Sequence, residues 1–228
     1  MPNSTPIVDG MECDTKEIYD DVISGKGKGI IFLLSGGPGI GKTLTAESVA
    51  EQMHVPLYML SAGDLGTESK DVESNLRSVL QMVTGWNAVL LLDECDIFLE
   101  ARTSNSLERN KIVSIFLRTL EYYEGILLFM TTNRVNNLDP AFKSRIHLSI
   151  DYKDLDTNAR EKIWRNFLSR GEDQEHHHQI TDVGKLADSN INGRQIKNVL
   201  KTAKLLANHK GELLKFEHVR TVMSVEGN

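Results

Sequence analysis

The amino-acid sequence predicts an α/β domain with a parallel sheet doubly wound by helices, followed by a small all-helical domain. Short continuous apolar runs recur up to about Asp151, and each has the length of a strand buried on both faces of a parallel sheet. Stretches with helical spacing of apolar residues lie between these runs. Beyond Asp151 only helical patterns and short apolar pieces remain. Alternation of strand and helix favours a doubly wound sheet, and its loss indicates a second domain.

The elements of the first domain can be assigned in order. The predicted strands are the runs GIIFLL, VPLYMLSA, AVLLLDE and GILLFMTTN, which begin at Gly29, Val55, Ala88 and Gly125. The first predicted helix follows GIIFLL and carries Leu44, Val49 and Met53 near helical spacing. Two more helices are predicted from SKDVESNLRSVLQMV and SLERNKIVSIFLRTLEYY.

The change of pattern predicts where the domains divide. We expect residues 1–18 to be a flexible N-terminal segment, residues 19–151 to be the α/β domain and residues 152–228 to be the helical domain. In the helical domain, Trp164 and Phe167 recur at helical spacing in NAREKIWRNFL, so we expect them in its core.

Composition and charge exclude several classes of protein. Hydrophobic residues make up 40% of the chain and charged residues 25%, the balance of a globular protein rather than a disordered one. No apolar run approaches the ~18 residues of a membrane helix, and the N-terminus lacks the pattern of a secretory signal. Cys13 and Cys95 are too few for a disulfide framework. We therefore expect an intracellular protein without contact with a membrane, in the cytoplasm or, as the alternatives, in the nucleus or an organelle. The net charge of −6 counts against nucleic-acid binding, and we interpret the run His176–His178 as a solvated loop rather than a metal site.

The stretch GGPGIGKT, Gly36 to Thr43, fits the pattern G-x-x-x-x-G-K-[ST], and we call it the phosphate loop. It follows an apolar run and opens a helical stretch, which is the context that such a loop needs. Its glycines let backbone N–H groups and the helix N-terminus point at phosphate oxygens. Lys42 is expected to reach the β and γ phosphates, and Thr43 to ligate Mg²⁺. The sequence therefore predicts a site for a nucleoside triphosphate with magnesium.

The run AVLLLDE ends in two adjacent carboxylates, Asp93 and Glu94. Open α/β sheets bind ligands at the carboxyl ends of their strands, so Asp93 is predicted to hold Mg²⁺ directly or through water. Glu94 is predicted to polarise the water that attacks the γ-phosphorus. A solvent-facing polar pair is the alternative, and the phosphate loop counts against it. We interpret Asp96 and Glu100 as surface or ion-pair residues and Cys95 as a small buried side chain.

Three more polar residues lie at predicted element boundaries. Asn133 ends the strand GILLFMTTN, where its amide could position the attacking water against the γ-phosphate. Arg145 precedes the last apolar segment of the first domain, and Arg194 begins a helix of the second domain. A single arginine at a helix boundary is usually solvated or paired, so the joint placement of the two is what indicates a function.

Together these motifs resemble the AAA+ ATPase family. From about Tyr19 to the end, the chain presents GGPGIGKTLTAE as Walker A, LLLDECDIF as Walker B, TTN as sensor 1, FKSR as the arginine-finger segment and NGRQIKN as sensor 2. Within the family, the chain is most similar to a group of AAA+ proteins from filamentous fungi. In those proteins this module follows a larger N-terminal region. The resemblance implies a P-loop NTPase domain of three αβα layers with a helical lid. It also implies a homo-oligomer, a hexameric ring in the full-length protein, with ATP at each subunit junction.

The resemblance implies a role for each matching residue. Glu94 would activate water, Asn133 would orient it, and Thr43 and Asp93 would hold Mg²⁺. Arg194 would reach the nucleotide from the lid of the same subunit, whereas Arg145 would act in the neighbour's site. The residues that would bind ATP or ADP are Gly37, Pro38, Gly39, Ile40, Gly41, Lys42 and Thr43 in the phosphate loop and Leu44 directly after it, with Asp20, Val22 and Ile23 around the adenine.

The resemblance leaves three classes of function open. The first is ATP-driven remodelling of a protein partner. Protein-threading members carry an aromatic residue in the loop after the second strand, but no aromatic residue occurs here between Tyr58 and Trp86, which counts against threading by such a loop. The second class is a nucleotide-gated assembly scaffold with little turnover. The third is a nucleic-acid machine of the clamp-loader type, against which the acidic balance of the chain counts.

Overall fold

The structure of the protein, a computed structural model, describes residues 29–101, 107–134, 138–169, 180 and 182–225. Its strands are β1 (Ile30–Gly36), β2 (Leu57–Ser61), β3 (Val89–Asp93), β4 (Leu127–Thr132) and β5 (Leu148–Tyr152). Its helices are α1 (Lys42–Met53), α2 (Ser69–Gly85), α3 (Asp96–Leu99), α4 (Leu107–Glu121), α5 (Thr157–Ser169), α6 (Val183–Ala187), α7 (Gly193–His209) and α8 (Phe216–Val225). None of the helices in these ranges combines the length and the apolar character needed to cross a membrane.

The five strands form one parallel sheet in the order β2–β3–β4–β1–β5. Because successive side chains of a strand point to opposite faces, each face of the sheet has its own apolar core. On one face Leu90 and Leu92 of β3 pack with residues of α2 and α4. On the other face Val89 and Leu91 pack with residues of α1. The predicted α/β class with a parallel sheet between helices is confirmed.

Burial differs between the centre and the margin of the sheet. All residues of the central strand β4 are buried, as the sequence predicts. The run VPLYMLSA packs on both faces of the sheet but is less buried than predicted. Tyr58 and Leu60 lie partly buried against one core and Leu57 against the other, whereas Met59 is 48% exposed. Among the described strands, β2 is an outer strand whose one partner is β3, and the margin of a sheet is less completely covered by helices.

Helix α1 follows the phosphate loop as predicted, but small residues form its inner face. Ala46 and Ala50 are buried against the sheet, whereas Leu44 is 58% and Met53 is 40% exposed. Small side chains let the helix backbone lie close to the strands. The spacing of the large apolar residues therefore predicts the helix correctly and its buried face poorly.

The helices after β5 have a separate core. Trp164 is fully buried in it, and Phe167 packs against it, as the sequence predicts. The same cluster includes Ile196 and Val199 of α7 and Val219 of α8. We call α5 to α8 the lid. Its separate core supports the division of the chain near residue 151, which stays a prediction.

The carboxyl ends of β1, β3 and β4 meet at one edge of the sheet. The register aligns Ser35 of β1 with Thr132 of β4, and Leu92 of β3 with Met130 of β4. Residues that follow these strands are therefore neighbours in space. They lie at the edge of the sheet where parallel sheets bind ligands.

Candidate active site

Two glycines of the phosphate loop approach other parts of the chain so closely that no side chain fits. Gly36 has φ 135°, and a Cβ atom there would lie 2.4 Å from the carbonyl oxygen of Tyr152. Gly39 has φ 71°, and a Cβ atom there would lie 2.6 Å from Asn192 Oδ1. Both φ values belong to a region that glycine adopts freely and other residues avoid. The loop therefore contacts the end of β5 and the beginning of the lid at the same time.

The Lys42 ammonium group lies between the phosphate loop and the end of β4. Its Nζ donates to Gly36 O at 2.8 Å, to Gly37 O at 2.6 Å and to Asn133 Oδ1 at 2.9 Å. The pKa of Lys42 is lowered from its usual value, chiefly because the group is buried. The nearby carboxylates of Asp93 and Asp96 oppose this shift, and the charge of Arg194 adds to it. The ammonium group is thus held by neutral oxygens at the predicted phosphate position.

Thr43 and Asp93 place two oxygen ligands side by side. Thr43 Oγ1 donates to Asp93 Oδ2 at 3.3 Å, and the other oxygen of Asp93 accepts from the Thr131 hydroxyl. Mg²⁺ prefers oxygen ligands and is commonly bound by one or two carboxylates together with substrate phosphates. Within the described part of the chain, no group of three or more His, Cys, Asp or Glu side chains could hold a metal ion. The pair fits a magnesium ion that is shared with nucleotide phosphates.

Glu94 occupies a backbone conformation that is rare for a residue with a side chain. Its φ is 58°, and its backbone N–H donates to Thr131 Oγ1 at 3.0 Å and to Asp93 Oδ1 at 3.2 Å. Left-handed residues other than glycine are strained and cluster at functional sites. The side chain of Glu94 is exposed, so its carboxylate can contact water.

Asn133 follows the last residue of β4 and accepts a hydrogen bond from Lys42 through its side-chain oxygen. Its backbone N–H donates to Asp96 Oδ1 at 3.1 Å, and the same oxygen accepts from Thr132 Oγ1 at 2.6 Å. The interpretation of Asp96 as a surface or ion-pair residue was therefore wrong. The signal that could have found it is its position, since an acid three residues after Asp93 lies at the same edge of the sheet.

Arg194 lies beside the phosphate loop, and its role toward the nucleotide stays a prediction. It is the second residue of α7 and is exposed, and the preceding residue, Gly193, donates from its N–H to Gly39 O at 2.9 Å. The helix begins with a reciprocal cap in which Asn192 and Gln195 each accept from the other's backbone N–H at 2.9 Å. The N-terminus of α7 is therefore fixed against the loop.

Arg145 lies in a different environment from the other predicted site residues. Its guanidinium donates to the carbonyl oxygens of Leu117 and Ala141 at 3.0 and 2.9 Å, and to Glu121 Oε2 at 2.8 Å. Its side chain is 24% exposed. These contacts join the turn before β5 to the C-terminal half of α4. Arg145 would therefore have to break them before its guanidinium could act in a neighbouring site.

The structure thus brings together Lys42, Thr43, Asp93 and Asn133, with Arg194 next to them. The predicted adenine residues Asp20, Val22 and Ile23 lie outside the described residues, as does the run His176–His178.

Sequence reasoning also missed Arg160, a residue of the lid that is only 8% exposed. It donates to Leu155 O at 2.6 Å, to Ala187 O at 2.8 Å and to Asn190 Oδ1 at 3.3 Å. It therefore joins the segment after β5 to the loop that leads into α7. No local pattern distinguishes it from the exposed Arg165 on the same helix.

A phosphate loop after β1, a carboxylate after β3 and a polar residue after β4 define a P-loop nucleotide-binding domain, here followed by a helical lid. Residues 32–153 match the family described as "ATPase family associated with various cellular activities (AAA)". The match covers just over half of the chain, and the chain belongs to this family. It is therefore an ATP-hydrolysing module, and the predicted resemblance is confirmed.

Named relatives include proteases and a proteasome subunit. The chain is 28% identical over 204 residues to the ATP-dependent zinc metalloprotease FtsH of Lachnoclostridium phytofermentans, which covers 82% of this chain and 34% of the relative. It is 30% identical over 199 residues to the FtsH of Caldicellulosiruptor bescii, 81% of this chain and 31% of the relative. It is 30% identical over 158 residues to the 26S proteasome regulatory subunit 4 homolog of Saccharomyces cerevisiae, 64% of this chain and 36% of the relative. The chain thus spans about a third of the length of these relatives. They do not test the expected fungal grouping, which stays a prediction.

Proposed function

We propose that the chain is the ATPase core of a homo-oligomeric ring, hexameric in the full-length protein, that remodels a protein partner. Two kinds of relative support a protein substrate, because one is named an ATP-dependent metalloprotease and the other a proteasome regulatory subunit. The net charge of −6 supports the same choice over a nucleic acid, whose phosphates attract basic surfaces.

The ATPase part of the proposal rests on the position of Lys42 Nζ. This atom lies within 3 Å of two phosphate-loop carbonyl oxygens and of Asn133 Oδ1. A bound γ-phosphate offers charged oxygens that are better acceptors for the ammonium group than neutral carbonyls. Phosphate binding would thus draw Lys42 away from its present acceptors and release the Asn133 amide. The amide is then free to orient water.

Hydrolysis needs a base, a water and charge neutralisation. We assign the base to Glu94, whose carboxylate takes a proton from water as the water oxygen bonds to the γ-phosphorus and the bond to ADP breaks. Thr43 and Asp93 would hold Mg²⁺, which neutralises charge on the phosphate oxygens when it is bound. Residues 37–43 of the phosphate loop, with Leu44 directly after it, would bind the phosphates of ATP and ADP, and Asp20, Val22 and Ile23 are proposed at the adenine.

Two arginines would complete the site, one from the lid of the same subunit and one from the α/β domain of the neighbouring subunit. Arg194 would contact the nucleotide of its own subunit, which its place beside the phosphate loop supports. Arg145 would act in the site of the neighbouring subunit after exchanging its contact with Glu121. An arginine supplied by a neighbour typically raises turnover by a factor of ~10³ to 10⁵.

The test is ATP hydrolysis per subunit, measured over a wide range of protein concentration. Wild type is compared with Arg145→Ala and with Glu121→Gln, which breaks the same ion pair but keeps the arginine. We expect activity per subunit to rise with concentration for wild type and Glu121→Gln, and to stay low and flat for Arg145→Ala.

A different result would separate the roles of Arg145. If Arg145→Ala and Glu121→Gln lose activity and thermal stability together, Arg145 supports the fold of its own chain. If wild-type activity is independent of concentration, the sites are not shared between subunits and the ring proposal fails.

A further inference from the structure

Asp96 contacts the end of β4 through a single oxygen atom. Its Oδ1 accepts from Thr132 Oγ1 at 2.6 Å and from Asn133 N at 3.1 Å. Thr132 is the last residue of β4, and Asn133 is the first residue beyond it. One carboxylate oxygen therefore fixes both the end of the strand and the start of the loop that follows.

The sheet itself does not supply this support. The pairing of β3 with β4 ends at Leu92 and Met130, and the pairing of β1 with β4 ends at Ser35 and Thr132. Asn133 lies past both ladders, so its backbone N–H needs an acceptor from elsewhere. Asp96 provides that acceptor from the first residue of α3.

The Thr132 hydroxyl extends the support to the other side of Asn133. It donates to Asp96 and accepts from the backbone N–H of Arg134 at 3.0 Å. The two residues that flank Asn133 are thus joined through one hydroxyl. The backbone of Asn133 is held while its side chain remains directed to Lys42, 2.9 Å from Nζ.

We propose that Asp96 is a positioning residue for ATP hydrolysis, which acts by holding Asn133 where its amide, once Lys42 binds the γ-phosphate, can orient the attacking water. The inference rests on the role proposed above for Asn133. The active geometry must be held to within a fraction of an ångström, and a displacement of 1 Å can cost about 100-fold in rate. The catalytic effect of Asp96 would therefore pass through hydrogen bonds rather than through its charge.

Glu100 offers a matched control for Asp96. Both carboxylates line a cavity of about 620 Å³ together with Arg109, Asn133 and Arg134. Glu100 forms an ion pair with Arg109 of α4, whereas the hydrogen-bond partners of Asp96 lie at the end of β4. The two acids thus share a cavity and a charge but have different partners.

The experiment measures kcat and KM for ATP, with Asp96→Ala, Asp96→Asn and Glu100→Gln as variants. Asp96→Ala removes the acceptor, and we expect kcat to fall about 10- to 100-fold with KM within about threefold of wild type. Asp96→Asn keeps a side-chain oxygen that can accept both hydrogen bonds, so we expect it to retain most of the activity. Glu100→Gln should leave kcat within about twofold of wild type.

A double-mutant cycle shows whether Asp96 acts through Asn133. When Asn133 is already replaced by alanine, we expect Asp96→Ala to lower kcat by less than about twofold further. If the losses in kcat of the two single variants multiply in the double variant, the positioning role is overturned. Equal losses in kcat for Asp96→Ala and Asp96→Asn would also overturn it. Wild-type turnover in Asn133→Ala would overturn the role of Asn133 and this inference with it.

Binding of a fluorescent ADP analogue and thermal unfolding are measured for every variant. Thr132→Val, which removes one of the two donors to Asp96, is a milder change in case Asp96→Ala fails to fold. We expect it to lower kcat with unchanged ADP binding. Full activity of a folded Thr132→Val protein would contradict the arrangement.

Discussion

Gly193, the first residue of α7, donates a backbone hydrogen bond to Gly39 of the phosphate loop across 2.9 Å. The bond joins the lid directly to the segment that binds phosphate. It also sets the distance from the loop to Arg194, the next residue. The lid and the loop should therefore respond to nucleotide together.

Gly193→Ala should weaken nucleotide binding without weakening the fold. A Cβ atom at Gly193 would lie 2.9 Å from Gly39 O, closer than side chains come to backbone oxygen, so α7 must move away from the loop. Loss of one hydrogen bond worth about 1 kcal/mol corresponds to about fivefold weaker ADP binding by calorimetry. Gly184→Ala is the control, because its Cβ would meet only Asp182 Oδ1 at 3.6 Å. Equal affinities for the two variants would show that the contact is incidental.

Thr43→Val should remove the magnesium dependence of nucleotide binding. Its hydroxyl lies 3.3 Å from Asp93 Oδ2, and valine has a similar shape without the oxygen ligand. We expect Mg²⁺ to strengthen ADP binding by wild type about tenfold over EDTA and to have little effect on the variant. Thr45→Val is the control, since the Thr45 hydroxyl contacts Tyr152 and Gly41 rather than a carboxylate. A magnesium effect that survives in Thr43→Val would exclude Thr43 as a ligand.

Glu94→Gln should bind ATP normally and hydrolyse it slowly. The amide keeps the size of the side chain but cannot take a proton from water, so we expect turnover to fall at least ~100-fold. The phosphate loop is untouched, so the Kd for ATP should stay within about twofold. Single-turnover hydrolysis measures the first quantity and filter binding the second. Glu47→Gln on the exposed side of α1 provides the control, and hydrolysis at the wild-type rate by Glu94→Gln would assign the base elsewhere.

The parts of the site that the sequence predicts are those that a short stretch of residues determines. The phosphate loop combines glycines, Lys42 and Thr43 within eight residues, and Asp93 directly follows a buried run. Parallel strands then bring their carboxyl ends together whatever the details of packing. For this reason the meeting of Lys42, Asp93 and Asn133 could be expected before the structure was known.

The parts that could not be predicted depend on tertiary contacts. Asp96 is hydrogen-bonded to residues about 36 positions away, and the partners of Arg160 include Ala187, 27 positions away. The exposure of Leu44 and of β2 likewise follows from how helices cover the sheet, which spacing alone does not encode. Arg145 shows the same limit, since its hydrogen bonds to Leu117 and Glu121 of α4 have no counterpart in the motif that singled it out.

Cys95 should resist thiol reagents as long as the protein is folded. Its side chain is fully buried, its Sγ donates to Leu92 O at 3.1 Å, and burial raises the pKa of the thiol well above its usual range. The measurement is reaction with a colorimetric disulfide reagent in a Cys13→Ser background, with ATP turnover followed in parallel. We expect no reaction and no inhibition until denaturant unfolds the chain. Rapid labelling of the native protein with loss of turnover would instead support redox control at this position.

Arg160→Met should destabilise the lid, whereas the same change at Arg165 should not. Arg160 holds Leu155 O, Ala187 O and Asn190 Oδ1 from a buried position, and methionine leaves these acceptors without donors. We expect a loss of about 2–4 kcal/mol in the free energy of unfolding, measured with urea. Lysine lacks the planar guanidinium with its several N–H donors, so Arg160→Lys should recover little of the lost stability. Arg165 is exposed and pairs with Glu161 one turn away, so Arg165→Met should cost less than about 0.5 kcal/mol. Equal effects at the two positions would mean that the buried hydrogen bonds of Arg160 contribute no more than a surface ion pair.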